Sequence, residues 1–253
     1  DDTRRYAAPR FEFELRPVAE VAPWGGEQPV LHWFGLTDGW FRISAGDEEL
    51  LRYHDETVRR GDLQRPYPDY YVARLWEDLI VLRWVLTEPV PADLVPFVDG
   101  TFARRELPDA EPGDEADAAF RLQGDLHLDL GYLTDPPALR CRQAGDGSVT
   151  LSRRITGDTF AGPPWWDVTV PAAEFFAAIE DFDRRFIAVM ADRVAELERT
   201  GPPPGVELDL VGLRHEHEQR ATWLRRRLAE PRTVDWAAVR AGYAEIATWP
   251  IDE

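Results

Sequence analysis

The sequence predicts an α+β protein: two antiparallel β-meanders packed against long α-helices, with an all-helical C-terminal part. Three observations carry that expectation. Phe11, Phe13 and Leu15 alternate with Glu12, Glu14 and Arg16, the period of a strand buried on one face. Val72, Leu75, Leu79, Leu82 and Leu86 recur at spacings of three and four, the period of a helix. Pro171 precedes a stripe of Phe175, Ile179, Phe182, Phe186, Met190, Val194 and Leu197, which predicts a second, longer helix.

In chain order, the first strand ends at Pro17. The stretch LHWFGLTDGW, residues 31–40, then reads as one arm of a hairpin whose turn is Asp38-Gly39, because Asp-Gly favours the positive φ that tight hairpins need. Phe41, Ile43 and Ala45 continue it, and a turn at Gly46-Asp47 leads to a strand over Leu50–Tyr53, so that residues 30–54 make a meander. The helix after Tyr67-Pro68 carries a second apolar row, Trp76, Ile80 and Trp84, and is expected to be buried on more than one side. It stops near Glu88, where Pro89 and Pro91 forbid continuation.

Residues 106–118, ELPDAEPGDEADA, hold six acids and no base, which predicts a mobile surface loop or a boundary. Beyond it, Leu126, Leu128 and Leu130 alternate with Asp125, His127 and Asp129. Leu139 with Cys141, Val149 with Leu151 and Ile155, and Trp166 with Val168 and Val170 complete a second, four-stranded meander. The long helix from about 174 to 199 spans roughly 39 Å at about 1.5 Å per residue and ends at Gly201 before three prolines. Two more helices follow near 207–228 and 234–247, the latter capped by Thr233 or Asp235. The chain divides at 1–105, the 106–118 loop and 119–253, although one continuous domain fits equally.

Composition narrows the function classes. The 253 residues carry 47 acids against 29 arginines, for a net charge of −18. That field repels nucleic acid and anionic lipid and attracts basic partners. There is no lysine and no asparagine, the mark of a GC-rich genome of the actinobacterial kind. No run approaches the ~20 apolar residues of a membrane span, and Asp1 to Arg5 lack the apolar core of a signal peptide, so a cytoplasmic protein is expected. The lone Cys141 falls on an apolar strand face, as an inert core thiol.

No motif fixes a reaction. In His215-Glu216-His217-Glu218 the histidines are two apart, about 200° around a helix, whereas a zinc helix needs them four apart. His217 reads instead as a histidine at the core edge. Asp125, His127 and Asp129 share the polar face of their expected strand, at a separation of about 7 Å that suits solvent better than one metal. No metal and no cofactor is expected.

Ten tryptophans are well above common usage. Rings not covered by helices would form a contact surface, and the candidate binding residues are Trp33, Trp40, His32 and His54 with the acids Glu111, Asp114, Glu115 and Asp117. The leading expectation is a non-catalytic protein that binds a basic protein partner; a homodimer is compatible with it. The rival is an enzyme or small-ligand binder whose pocket lies between the first meander and the helices, with His32, His54 or His127 and a nearby carboxylate as its polar groups.

FEFELRPV, PWGG, LHWFGLTDGW and Tyr53-His54, followed by WWDVTVPAAEFFAAIEDF and DLVGLRHEHEQR, resemble an actinobacterial family known as a domain of unknown function. The resemblance runs through most of the chain and implies no catalytic residue. More loosely, an acidic α+β chain of this build is similar to immunity proteins of bacterial toxin systems, which implies inhibition of a basic toxin or effector.

Overall fold

The computed structural model describes residues 8–108 and 111–252. Asp1 to Arg5 and Asp109 of the acidic stretch lie outside the described residues. The fold is α+β with two antiparallel sheets and a helical C-terminal region.

The first sheet is built on strand β2 (Asp38–Ala45). Strand β1 (Pro9–Leu15) pairs along one edge in full register, Pro9 opposite Ala45 and Leu15 opposite Gly39. The other edge is shared end to end by β3 (Glu48–Glu49) and β4 (Asp69–Tyr71). Gly39, Phe41, Ile43 and Ala45 are buried and their neighbours are not, as the period-two pattern predicts.

The Asp38-Gly39 hairpin turn is not formed. Both residues lie inside β2, and Gly39 is the point where β1 and β4 close on it from either side. A Cβ there would strike the Glu14 carbonyl and the Leu15 backbone, so the glycine serves close approach. Residues 31–37 are no strand; they end in a 3₁₀ turn, Gly35–Thr37. His32 Nδ1 accepts the Gly35 N–H at 3.1 Å and Thr37 Oγ1 donates to the Phe34 carbonyl at 2.7 Å, so side chains satisfy the backbone that a strand would have paired. The expected strand over 50–53 is likewise replaced: Leu50 and Leu51 are buried, and a helix α1 (Asp55–Arg60) follows.

Helix α2 (Val72–Val85) matches its apolar spacing, with Val72, Leu75, Trp76, Leu79, Ile80 and Leu82 buried. A short α3 (Val95–Val98) leads toward α4 (Asp114–Asp125), which corrects the reading of 106–118 as loop throughout. Asp114, Glu115 and Asp117 form the first turn of α4, where carboxylates oppose the helix dipole's positive end. Ala116 and Ala119 are fully buried against the C-terminal helix.

Residues 126–130 do alternate in burial, but only His127 pairs, in a single bridge opposite Arg140. The second sheet therefore has three strands, β5 (Ala138–Gln143), β6 (Ser148–Arg154) and β7 (Trp165–Pro171), in sequence order. Helix α5 (Ala172–Thr200) fills the predicted span and touches both sheets. Phe182 and Phe186 meet Phe13 edge-on at 5.3 and 5.6 Å. Arg193, on the same buried stripe, donates to the Leu36 carbonyl at 2.6 Å and to that of Arg16, and so holds the 3₁₀ turn in place.

The predicted 207–228 helix is two: α6 (Leu210–Arg220) and α7 (Trp223–Ala229). The break at Ala221-Thr222, with Thr222 Oγ1 donating to the Gln219 carbonyl at 2.7 Å, turns Trp223 onto Trp76 at 5.5 Å. Helix α8 (Trp236–Ala247) is capped by Asp235, which accepts from the N–H groups of Ala237 and Ala238. Gly242 lets α8 approach the Glu115 carbonyl of α4 where a Cβ could not fit. One continuous set of buried apolar residues runs from Phe11 to Trp249.

Candidate functional site

The register of the second sheet sorts its side chains. Leu139, Cys141, Val149, Leu151 and Val170 are buried on one face. Arg140, Arg142, Thr150 and Arg154 stand on the other. Arg154 pairs with Ala138, two residues from Arg140 on β5, and His127 stands opposite Arg140 across its bridge. Residues opposed in an antiparallel pair project to the same side, so His127, Arg140 and Arg154 share one face of the sheet.

That face forms one wall of a cleft of ≈ 770 Å³. The end of α4 supplies Phe120, Gln123 and Gly124, the segment after α3 supplies Phe102, Arg104 and Arg105, and α8 contributes Ile246. Four arginines and a histidine line it, and no Asp or Glu does. Arg104 pairs with Asp252 at 2.8 Å, and Arg105 Nη1 donates to the Trp249 carbonyl at 3.1 Å. Among the described residues Arg140 and Arg154 have no carboxylate within ion-pair distance. Arg154 donates to the Gly100 carbonyl at 3.3 Å.

The electrostatics are those of an unmet cation pair. Burial and the neighbouring Arg154 push Arg140 below the ordinary arginine value, and Asp99 opposes them only in part. Asp99 has its own partner, since its Oδ1 accepts from the N–H and hydroxyl of Thr101. Burial and Arg140 hold His127 below the ordinary histidine range, and Asp129 pulls it back. His127 Nε2 and Arg105 Nε are sealed from solvent with no hydrogen-bond partner. Buried nitrogens left unpaired are costly, and beside a cleft they suit an acceptor brought by a ligand. Gly100, at φ +90°, gives Arg140 room, since a Cβ would lie 2.9 Å from its Nη1.

Family of unknown function (DUF5984) matches residues 10–242 of the chain. The chain belongs to that family. The matched span holds every cleft residue except Ile246. No curated protein and no solved structure matches.

The residues singled out from sequence are not brought together. Trp33 is fully buried between Trp76 and Phe186, donates to His217 Nδ1 at 3.4 Å and lies under the Arg220 guanidinium at 4.4 Å, so it has no surface to offer a partner. His217 is half-buried at the core edge, and burial lowers its pKa. Trp40, half-buried, stacks on Tyr67, and the Arg65 guanidinium lies over its ring at 4.4 Å. His32 lies against Trp24, a residue 45% exposed, at 4.4 Å between ring centres. His54 is exposed at the start of α1, on a cleft of ≈ 930 Å³ where Arg52 pairs with Asp55 and Arg60 with Glu56. Glu111, Asp114, Glu115 and Asp117 are all exposed.

Asp125, His127 and Asp129 do not share a strand face. Asp125 ends α4 and pairs with Arg232 at 3.3 Å, while Asp129 accepts from the Gly131 N–H. Among the described residues no group of three or more His, Cys, Asp or Glu is placed to hold a metal ion, and no helix is long and apolar enough to cross a membrane. Sequence reasoning missed Arg140 and Arg154. Their signal was Arg140 and Arg142 alternating with Leu139 and Cys141 on a predicted strand.

Proposed function

We propose that the protein binds a small organic anion in the cleft between the second sheet and helices α4 and α8. The observation that carries this reading is one of sign: in a chain of net charge −18, the cleft is lined by four arginines and a histidine and by no carboxylate. Keeping Arg140 beside Arg154 costs electrostatic energy that an anion recovers. The size falls within the range of small-molecule sites, and the apolar lining from Phe102, Phe120 and Ile246 suits a ligand with an apolar body. The test is a thermal melt of the full chain with benzoate, and with neutral benzamide as control. Benzoate at millimolar concentration raises Tm, benzamide does not, and Arg140→Gln abolishes the difference. Equal response to the two, or to neither, refutes the reading.

We also propose, as a second reading, docking of a basic protein such as a toxin by an immunity-type inhibitor. It is supported by the four exposed carboxylates Glu111, Asp114, Glu115 and Asp117 on a strongly acidic chain. A pull-down from the host would return a partner of high pI whose affinity falls steeply with salt and with alanine at those four positions. No partner at any ionic strength counts against it.

A further inference from the structure

We infer that the anion taken by the cleft is a phosphate monoester with an apolar or aromatic body, its phosphate held by Arg140, Arg154 and His127. This rests on the anion-binding reading above and narrows it to one ligand class.

Charge is the first reason. Arg104 is paired to Asp252; of the three cleft guanidinium groups with no carboxylate within ion-pair distance among the described residues, Arg105 is held against the Trp249 carbonyl, and Arg140 and Arg154 stand as neighbours on the sheet face. A monocarboxylate meets one of them. A phosphate monoester carries about −1.5 to −2 at neutral pH and meets both.

Donor arrangement is the second. One guanidinium fork satisfies a carboxylate, whose acceptors lie in a plane. Here the donors come from three separate strips of chain: the segment that follows α4, β5 and β6. His127 is directly across from Arg140, and Arg154 is diagonal to it, within roughly 5–8 Å by sheet geometry. Donors spread over three strips suit the three oxygens of a tetrahedral group. His127 Nε2 is buried and unpartnered, and a turn of its ring toward the cleft would give it the third oxygen as the partner it lacks.

The rest of the lining is the third reason. Phe102, Phe120, Leu107 and Ile246 offer an anion nothing but favour a ring or chain attached to it, which separates an ester from free phosphate. Phe102 belongs to a cluster with Phe97 at 5.5 Å and Tyr243 at 5.4 Å, and Phe120 packs on Trp249 at 5.8 Å, so these rings are held in place before any ligand arrives.

Calorimetric titration of the full chain with phenyl phosphate, benzoate and inorganic phosphate tests the assignment. Phenyl phosphate should bind at least ten-fold tighter than either of the others. Arg154→Gln should weaken phenyl phosphate about ten-fold and benzoate by less than three-fold, with the urea midpoint confirming the fold; Arg154→Lys, which keeps the charge and loses the fork, should fall between. If benzoate binds as tightly as phenyl phosphate, the phosphate assignment is overturned while the anion reading stands. If inorganic phosphate matches phenyl phosphate, the ester assignment is overturned. Binding of none of the three overturns the assignment and the anion reading together.

Discussion

His127 and Arg140 face each other across a single antiparallel bridge, a neutral-prone histidine beside a half-buried guanidinium, on the wall of a cleft without carboxylates. An anion bound between them favours the protonated imidazole that the empty cleft disfavours. Binding therefore takes up a proton, and affinity falls as pH rises through the ordinary histidine range. Benzoate keeps its charge over that range, so its dissociation constant should rise about three- to ten-fold between pH 5.5 and 7.5, by roughly the charge–charge interaction expected near a surface. His127→Gln should flatten that dependence.

Arg153 is fully buried and joins the two sheets, donating from Nη2 to Glu48 Oε1 at 2.5 Å and from Nη1 to the Glu49 carbonyl at 3.0 Å. Removing one member of such a pair leaves the other's desolvation unmatched. Urea denaturation should show Glu48→Ala less stable by about 3 kcal/mol, because it strands the buried cation. Arg153→Leu should cost less, since Glu48 is partly exposed and can regain water.

Asp78, on α2, is half-buried with its Oδ2 sealed and unpartnered, and burial with the nearby Asp129 pushes its pKa up to about 8. The folded state therefore binds a proton that the unfolded chain releases near pH 4, and stability is lost as pH rises from about 4 to 8. Asp78→Asn removes the ionisation. It should raise stability relative to wild type by about 4 kcal/mol more at pH 8.5 than at pH 5, read from urea midpoints at the two pH values.

Gly100 holds φ +90° and leaves Arg140 its space. Gly100→Ala strains the backbone and displaces that guanidinium, so it should lower stability by about 1–2 kcal/mol and weaken anion binding beyond what the stability change explains. Melting curves and titration of the same variant separate the two effects.

Much of the fold was legible because burial follows spacing. The period of two in β1, β2 and β5–β7 and the stripes of α2 and α5 are local properties of the chain. Signals with two physical causes were misread. Asp38-Gly39 can serve a turn or a close strand approach, and packing of β1 and β4 on both sides of β2 chose the second. Acids at 114–117 can mark a solvated loop or a helix start, and the fit of Ala116 and Ala119 against α8 made the helix. The α6–α7 break has no Gly or Pro to announce it.

The sequence by itself determined the α+β class, the strands and helices with strong periodicity, the inert core position of Cys141 and the strongly negative charge. Only the tertiary structure decided which residues meet. His127, Arg140 and Arg154 come from three separate strips of chain, and nothing in local spacing states that strand pairing sets them on one face. Periodicity is fixed by the chain's own geometry, whereas a site is fixed by contacts between distant segments, and those exist only once the core has packed.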